Sequence, residues 1–84
     1  MPFHIVLKPS ARKNLKRMPD EHRKRIYHTL TEIGKNPFAA KKLHGEYRRH
    51  YAVRVWPYRI IYGIILRPES LVDVIYVSHR QGVY

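Results

Sequence analysis

Three arginines in strand-like surroundings are the residues of this sequence best suited to chemistry. The chain has 84 residues, and its 17 lysines and arginines against 6 acidic residues give a formal net charge of +11. Arg54, Arg59 and Arg80 fall within or just after apolar stretches, where few carboxylates exist to pair with them. Because a guanidinium group binds two phosphate oxygens at once and stays charged, this pattern predicts a phosphate site and a polyanionic partner.

Histidine and tyrosine side chains extend the candidate site. His79 precedes Arg80 at a predicted strand end, and an imidazole can exchange protons near neutral pH. Aromatic rings beside cations on an open sheet face can stack on the bases of single-stranded RNA, so Tyr51 is a candidate RNA-binding residue. Tyr84 is the last residue, and a terminal side chain is by itself expected to be frayed.

The remaining cations divide into two groups. Those on the predicted helices are expected to form a solvated outer face. Those on the approach to the first long strand join Arg54 as candidate RNA-binding residues: Lys41, Lys42, Arg48 and Arg49.

Several classes of function are excluded by what the sequence lacks. The chain has no cysteine, and its 6 histidines show no metal-ligand spacing, so neither a metal nor another cofactor is predicted. Neither a P-loop nor a G-x-G-x-x-G motif is present. No apolar run reaches the length of a membrane span or of a signal-peptide core, so a cytoplasmic protein without a membrane partner is expected.

Two amphipathic helices are predicted in the first half of the chain. Apolar residues recur at i, i+4 and i+7 in two successive stretches: Ala11, Leu15 and Met18, then Ile26, Leu30 and Ile33. Ser10 is expected to cap the first helix. Pro19 separates the two helices, and Asp20 is expected to cap the second. Gly34 and the Asn-Pro pair at 36–37 are expected to end the second helix. The two helices then form a helical hairpin.

Strands are predicted at residues 4–7 and in the second half of the chain. Residues 47–55 alternate between an apolar and a basic face, and residues 58–66 and 71–78 are rich in Ile, Val and Tyr. The sequence therefore predicts a single α+β domain, residues 1–84, with the order βααβββ. A small, mainly antiparallel four-stranded sheet would carry the helical hairpin on one face. A ligand site is expected on the uncovered face.

Short segments along nearly the whole chain resemble the RelE/ParE superfamily of bacterial and archaeal toxins, and most closely its RelE-type mRNA interferases. Their order and spacing carry the resemblance. The segments are residues 11–15 (ARKNL), 18–19 (MP), 36–37 (NP), 42–45 (KLHG), 51–55 (YAVRV), 58–62 (YRIIY), 77–80 (VSHR) and 83–84 (VY).

The resemblance implies a toxin of a type II toxin–antitoxin system that cleaves messenger RNA in the ribosomal A site and that an antitoxin holds inactive. By position, Arg59 resembles the family arginine that contacts the scissile phosphate. Arg80 resembles the arginine that stabilises the transition state or protonates the leaving group. Tyr84 resembles the C-terminal tyrosine that stacks on or orients the substrate nucleotide, and Arg54 falls where members often carry a second strand cation.

The identity of the general base is left open by the same resemblance. Cleavage would begin with attack of the 2′-hydroxyl on the adjacent phosphorus, which requires removal of its proton. Ala52 occupies a position where some active members have a lysine proposed for this role. The sequence offers His79, Tyr84, Lys41 or Lys42 as substitutes.

Two other functions would account for the charge and the fold. A ParE-like toxin would inhibit DNA gyrase without RNA chemistry, and a general basic module would bind nucleic acid alone. The expected partners are a cognate acidic antitoxin, messenger RNA and the ribosome with its ribosomal RNA, with DNA reached only through the antitoxin. A partly disordered antitoxin segment would cover the cations of the open face as it folds.

Overall fold

The fold is given by a computed structural model that describes residues 2–43 and 49–81. Its elements are strand β1 (His4–Leu7), helices α1 (Pro9–Lys16) and α2 (Asp20–Lys35), and strands β2 (Lys41–Lys42), β3 (His50–Val55), β4 (Tyr58–Ile65) and β5 (Leu71–His79). A 3-10 turn at Pro37–Ala39 joins α2 to β2. Within these described ranges, no helix combines the length and the apolar character needed to cross a lipid bilayer. The predicted α+β class is confirmed.

The strands form one sheet in the order β1-β5-β4-β3-β2. β1 runs parallel to β5, and the other three pairs are antiparallel. The predicted count of four strands is wrong by one, because Lys41 pairs with Ala52 and Lys42 with Tyr51 to form the short strand β2. Two residues are too few to show an alternating pattern. A short, lysine-rich strand also protects the edge of a sheet from pairing with other chains.

Helices α1 and α2 cover one face of the sheet with the two apolar stripes that the sequence predicts. The core combines these stripes with inward side chains of β4 and β5: Ala11, Leu15, Met18, Ile26, Leu30, Ile33, Tyr58, Ile60, Tyr62, Val72, Val74 and Val77. Tyr62 is fully buried, and its hydroxyl donates a hydrogen bond of 2.6 Å to the carbonyl of Pro37. Burial raises the pKa of the Tyr62 hydroxyl to about 12. The main core cluster therefore lies between the helices and one face of the sheet.

The helix starts differ from the prediction by two residues for α1 and by one residue for α2. α1 begins at Pro9, whose missing N–H costs nothing in a first turn, so Ser10 lies inside the helix and does not cap it. α2 begins at Asp20 itself, with Pro19 in the capping position. The Asp20 carboxylate accepts a hydrogen bond of 2.8 Å from Arg23 in the same turn.

Gly34 lets α2 pack closely against the start of the chain. The helix continues to Lys35, so Gly34 does not end it. The Gly34 carbonyl accepts the backbone N–H of Phe3 at 2.7 Å, and a Cβ on Gly34 would lie 3.1 Å from the carbonyl oxygen of Phe3. A larger residue at this position would require the chain before β1 to shift.

A β-bulge in β5 decides which of its side chains face the helices. Val74 and Tyr76 are paired with consecutive residues of β4, which makes Ile75 an extra residue. Before the bulge the even-numbered residue Val74 enters the core, and after it the odd-numbered Val77 does so. The bulge therefore reverses the alternation of the strand.

Two side chains of α1 hold this bulge. The Ser10 hydroxyl donates to the carbonyl of Ile75, and the Asn14 side-chain oxygen accepts the backbone N–H of Val77 at 2.9 Å. Asn14 is buried, with only 9% of its surface exposed. Because α1 binds the carbonyl of Ile75 and the N–H of Val77, the helix helps to hold the register of β5 on both sides of Tyr76.

Replacing Asn14 with alanine is expected to lower the free energy of unfolding by about 1–3 kcal/mol, because the buried N–H of Val77 loses its acceptor. Asn36→Ala, at an exposed asparagine after α2, is the matched control and should change this free energy by less than about 0.5 kcal/mol. Urea unfolding followed by circular dichroism measures both. Equal stability of Asn14→Ala and the wild type would show that Asn14 does not hold the bulge.

Candidate functional site

Two arginines stand opposite each other on the sheet face that the helices leave open. Arg54 of β3 pairs directly with Arg59 of β4, and Arg59 pairs on its other side with Ser78 of β5. Both arginines are exposed, whereas the next residue of β4, Ile60, is buried in the core. Like charges directly opposite each other destabilise a sheet. A bound anion would therefore reduce the repulsion between Arg54 and Arg59.

Arg80, the residue after β5, lies near these two arginines. Its backbone N–H donates to the carbonyl of Pro57 at 2.8 Å, which ties the end of β5 to the turn between β3 and β4. Its guanidinium lies over the ring of Trp56, 4.9 Å from the ring centroid. The three arginines line one cleft of about 210 Å³, here called the arginine cleft, whose other lining residues are Trp56, Pro57, Tyr58, Ser78 and His79.

Among the residues that the structure describes, no carboxylate lines the arginine cleft. The ion pairs seen in residues 2–43 and 49–81 lie elsewhere: Lys8 with Asp73, Arg23 with Asp20, and Lys35 with Glu32. In the same ranges, no group of three or more histidines and acidic residues is arranged to hold a metal ion. Three guanidinium groups thus share a site without a counter-charge, which suits the site to an anionic ligand.

A second cleft continues from the first toward the β2 edge of the sheet. It measures about 360 Å³, shares Arg54 and Arg59 with the arginine cleft, and is otherwise lined by Lys41, Leu43 and Ala52. Lys41 is paired directly with Ala52, so the lysine stands beside the alanine on the open face. Together the two clefts form a cationic groove across strands β2 to β5, about 14 Å at the usual strand spacing.

His79 lines the arginine cleft with its ring on the helix side of the sheet. The ring lies edge-on to that of Tyr58 at a centroid distance of 5.4 Å, and the Tyr58 hydroxyl is hydrogen-bonded to Nδ1 of His22 at 2.7 Å. The Nδ1 of His79 accepts the backbone N–H of Gln81 at 3.1 Å. In the neutral His79 ring this bond places the proton on Nε2.

Tyr51 and Lys42 lie on the opposite face from the arginines. Tyr51 is in register with Tyr62, and the two rings stack at a centroid distance of 5.5 Å on the helix side of the sheet. Lys42 pairs with Tyr51, so the register places it on that side as well. Strand alternation therefore separates these two RNA-binding candidates from Arg54.

The other RNA-binding and catalytic candidates do not line either cleft in the part of the chain that the structure describes. Arg49 is exposed just before β3 and lines neither cleft. Arg48 and Tyr84 lie outside the described residues. Of the ten predicted site residues, the structure thus brings together five: Arg54, Arg59, His79, Arg80 and Lys41.

Sequence reasoning missed four residues that line the arginine cleft: Trp56, Pro57, Tyr58 and Ser78. The signal for Trp56 was available, because the only tryptophan of the chain stands in a two-residue turn between strands. The same turn length places Arg54 opposite Arg59. Nothing in the sequence pointed to Ser78, because its position beside Arg59 depends on the bulge in β5.

The fold, two helices on one face of a small sheet, is shared with solved toxins of bacteria and archaea. The RelBE2 toxin–antitoxin complex of Mycobacterium tuberculosis is 22% identical with a TM-score of 0.85, covering 95% of this chain and 100% of that chain. The isolated Escherichia coli RelE toxin is 24% identical with a TM-score of 0.79, covering 92% and 83%. The RelB–RelE complex of Methanococcus jannaschii is 27% identical with a TM-score of 0.67, covering 94% of each chain.

A family model places the chain more specifically. The model of the ParE toxin of the type II toxin–antitoxin system parDE matches residues 5–84. The protein therefore belongs to this family of toxins, and its resemblance to the RelE/ParE superfamily is confirmed. No curated protein matches the sequence at a significant level.

Replacing Arg54 with glutamine is expected to raise the free energy of unfolding by about 0.2–1 kcal/mol at low ionic strength, because it removes a like-charge pair. The gain should shrink at high salt, which screens the repulsion. Arg12→Gln, the same change on the exposed surface of α1, is the matched control for net charge and should gain less. Urea unfolding at two salt concentrations measures the difference. Equal effects of the two substitutions would show that the pairing with Arg59 carries no repulsion.

Proposed function

We propose that this toxin is an endoribonuclease that cleaves messenger RNA on the ribosome, with arginines and no metal ion neutralising the reacting phosphate. The convergence of Arg54, Arg59 and Arg80 on one cleft, with no carboxylate among its described lining residues, carries the proposal. A phosphodiester fits such a cleft, since each guanidinium can form two parallel hydrogen bonds with its oxygens. The length and sign of the cationic groove suit an RNA strand that continues past the bound phosphate.

The reaction takes its nucleophile from the substrate. The ribose 2′-hydroxyl attacks the adjacent phosphorus as it loses its proton, the bond from phosphorus to the 5′-oxygen breaks, and that oxygen takes up a proton. The products are a 2′,3′-cyclic phosphate and a 5′-hydroxyl. The transition state carries additional negative charge on the phosphorane oxygens, which Arg59 and Arg80 stabilise. A preorganised donor of this kind contributes about 10²–10³ in rate.

Two side chains are assigned to the proton transfers. His79 lines the arginine cleft, so its imidazolium form is the candidate donor to the leaving 5′-oxygen. Lys41 lines the groove directly opposite Ala52, the position where some relatives have a lysine. Lys41 is therefore the candidate to take over the role proposed for that lysine, whereas Lys42 faces the other side of the sheet.

Dependence on the ribosome follows from how open the site is. The arginine cleft lies on an uncovered sheet face, and nothing among its lining residues encloses a flexible RNA strand. Aligning the 2′-hydroxyl with the bond that breaks is worth several powers of ten in rate. A ribosome that already holds the messenger in an extended form would supply this alignment.

A cognate antitoxin is the second partner that we propose. The Mycobacterium tuberculosis and Methanococcus jannaschii relatives were solved as complexes with their antitoxins. A net charge of +11 favours an acidic antitoxin segment, which would cover the cationic groove and keep RNA out. DNA would be reached only through that antitoxin, and activity on messenger RNA places the protein in the cytoplasm.

A ParE-like action on DNA gyrase is the second candidate function. The family model that matches the chain is that of the ParE toxins, which favours this alternative. It would leave the convergence of three arginines on one cleft without a chemical purpose. Induction that stops translation supports the nuclease, and induction that damages DNA without halting translation supports gyrase inhibition.

The Arg80→Ala variant is expected to lose its toxicity on induction, because cleavage falls by about 10²–10³ when one transition-state donor is removed. Arg12→Ala, at an exposed arginine on α1, is the matched control and should remain toxic. Mapping the 5′ ends of transcripts after brief induction measures cleavage, and circular dichroism verifies the fold. A fully toxic Arg80→Ala that leaves the same transcript ends would contradict the nuclease mechanism.

A further inference from the structure

Trp56 is the most exposed large hydrophobic side chain in the described part of the chain. It lines the arginine cleft, and 63% of its surface is open to solvent. An indole offers a large apolar surface that a folded protein gains by burying in a core or an interface. The turn between β3 and β4 has no need of so large a side chain. The exposed ring is therefore a surface that a ligand can cover.

Three contacts hold the turn and the ring in place. The Trp56 carbonyl accepts a hydrogen bond of 2.8 Å from Arg25 of α2, and the Pro57 carbonyl accepts one of 2.8 Å from the backbone N–H of Arg80. The guanidinium of Arg80 lies over the indole at 4.9 Å from its centroid. Since one side of the ring is occupied by Arg80 and most of the residue is exposed, the other side of the indole is open.

We propose that Trp56 is the stacking platform for the nucleobase beside the phosphate that Arg59 and Arg80 bind. The proposal rests on the single-stranded RNA substrate of the proposed function. Bases and phosphates alternate along a strand, so a base lies next to any phosphate held in a cleft of about 210 Å³. Every base has a flat face that stacks on an aromatic side chain. The base would then stack on one face of the indole, while the Arg80 guanidinium lies over the other face and adds a cation–π interaction.

A nucleobase suits this surface better than a side chain of a protein partner. Among the described residues no leucine, isoleucine or valine lines the arginine cleft, so only Pro57 and Tyr58 provide apolar surface beside the indole, too little for a closed hydrophobic pocket. Hot spots of protein interfaces lie in well-packed pockets from which water is excluded. A flat ring flanked by guanidinium groups instead matches a ligand that has a flat ring and a phosphate together, which is a nucleotide.

The role of Trp56 is to set the position of the strand and not to read a particular base. Stacking tolerates all bases and gives only the modest preferences that follow from stacking strength. Purines present the larger face, so cleavage should favour a purine at the stacked position. Loss of the indole should remove that preference and spread the cleavage sites.

Fluorescence of the single tryptophan reports stacking directly. The full chain, free of antitoxin, is titrated with a short single-stranded RNA whose 2′-hydroxyls are methylated, so that the proposed cleavage cannot occur. Excitation at the red edge of the indole absorption avoids the tyrosines. Stacking is expected to quench the emission in a saturable manner. The same backbone with abasic positions should bind through its phosphates without quenching.

Substitutions separate the contribution of the ring from that of the charges. Trp56→Ala is expected to weaken binding of the labelled RNA about 5–100-fold by fluorescence anisotropy. The factor should be the same at low and high salt, because stacking releases no counterions. Trp56→Phe should recover most of the loss. Leu66→Ala removes a side chain that is similarly exposed, at 58%, beyond the far end of β4, and should bind as the wild type does.

The stacking role and the nuclease can fail independently. Absence of quenching, or equal RNA affinity of Trp56→Ala and the wild type, would overturn the stacking role even if transcripts are cleaved in cells. A loss of affinity that Trp56→Phe does not recover would also count against it, since it would indicate a structural defect. Quenching and the expected loss in Trp56→Ala without any transcript cleavage would uphold stacking and overturn the nuclease alone.

Discussion

The bulge in β5, held by the side chains of Ser10 and Asn14, is the constraint on which the site depends. Without the extra residue, the alternation of the strand would continue and Val77 would turn out of the core. Ser78 would no longer lie beside Arg59 on the open face, and the chain after β5 would leave the sheet from the opposite face. Hydrogen bonds made by a helix on one side of the sheet thereby determine the chemistry available on the other.

The arginine cleft illustrates a conflict between stability and binding. Arg54 and Arg59 are held opposite each other with no carboxylate between them, an arrangement that lowers stability until an anion arrives. Local conflicts of this kind in an otherwise consistent fold are expected at functional sites. The hydrogen bonds of the turn at 56–57 supply the rigidity that keeps the cations converged. The net charge of +11 then attracts a polyanion from a distance.

Periodicity was sufficient to predict the helices and the long strands, because each buries one face and so repeats its apolar residues at a fixed spacing. It could not predict β2, which is too short to repeat. The site was predicted only in part. Arg54, Arg59 and Arg80 were identified by residue type, but residue type alone also selected Tyr51, although the alternation of β3 puts it on the opposite face from Arg54. The contact between Arg80 and Trp56 joins two loops that sequence spacing does not relate.

The parallel pairing of β1 with β5 has a consequence for how this protein is made. His4 is paired with Leu71, so the sheet is complete only when β1 pairs with β5. During synthesis β1 and both helices leave the ribosome early, with no complete sheet to pack on. The strand that leads to Arg80 leaves the ribosome after the other strands, so the arginine cleft cannot assemble before it. The arginines converge only once β5 has paired with both β1 and β4.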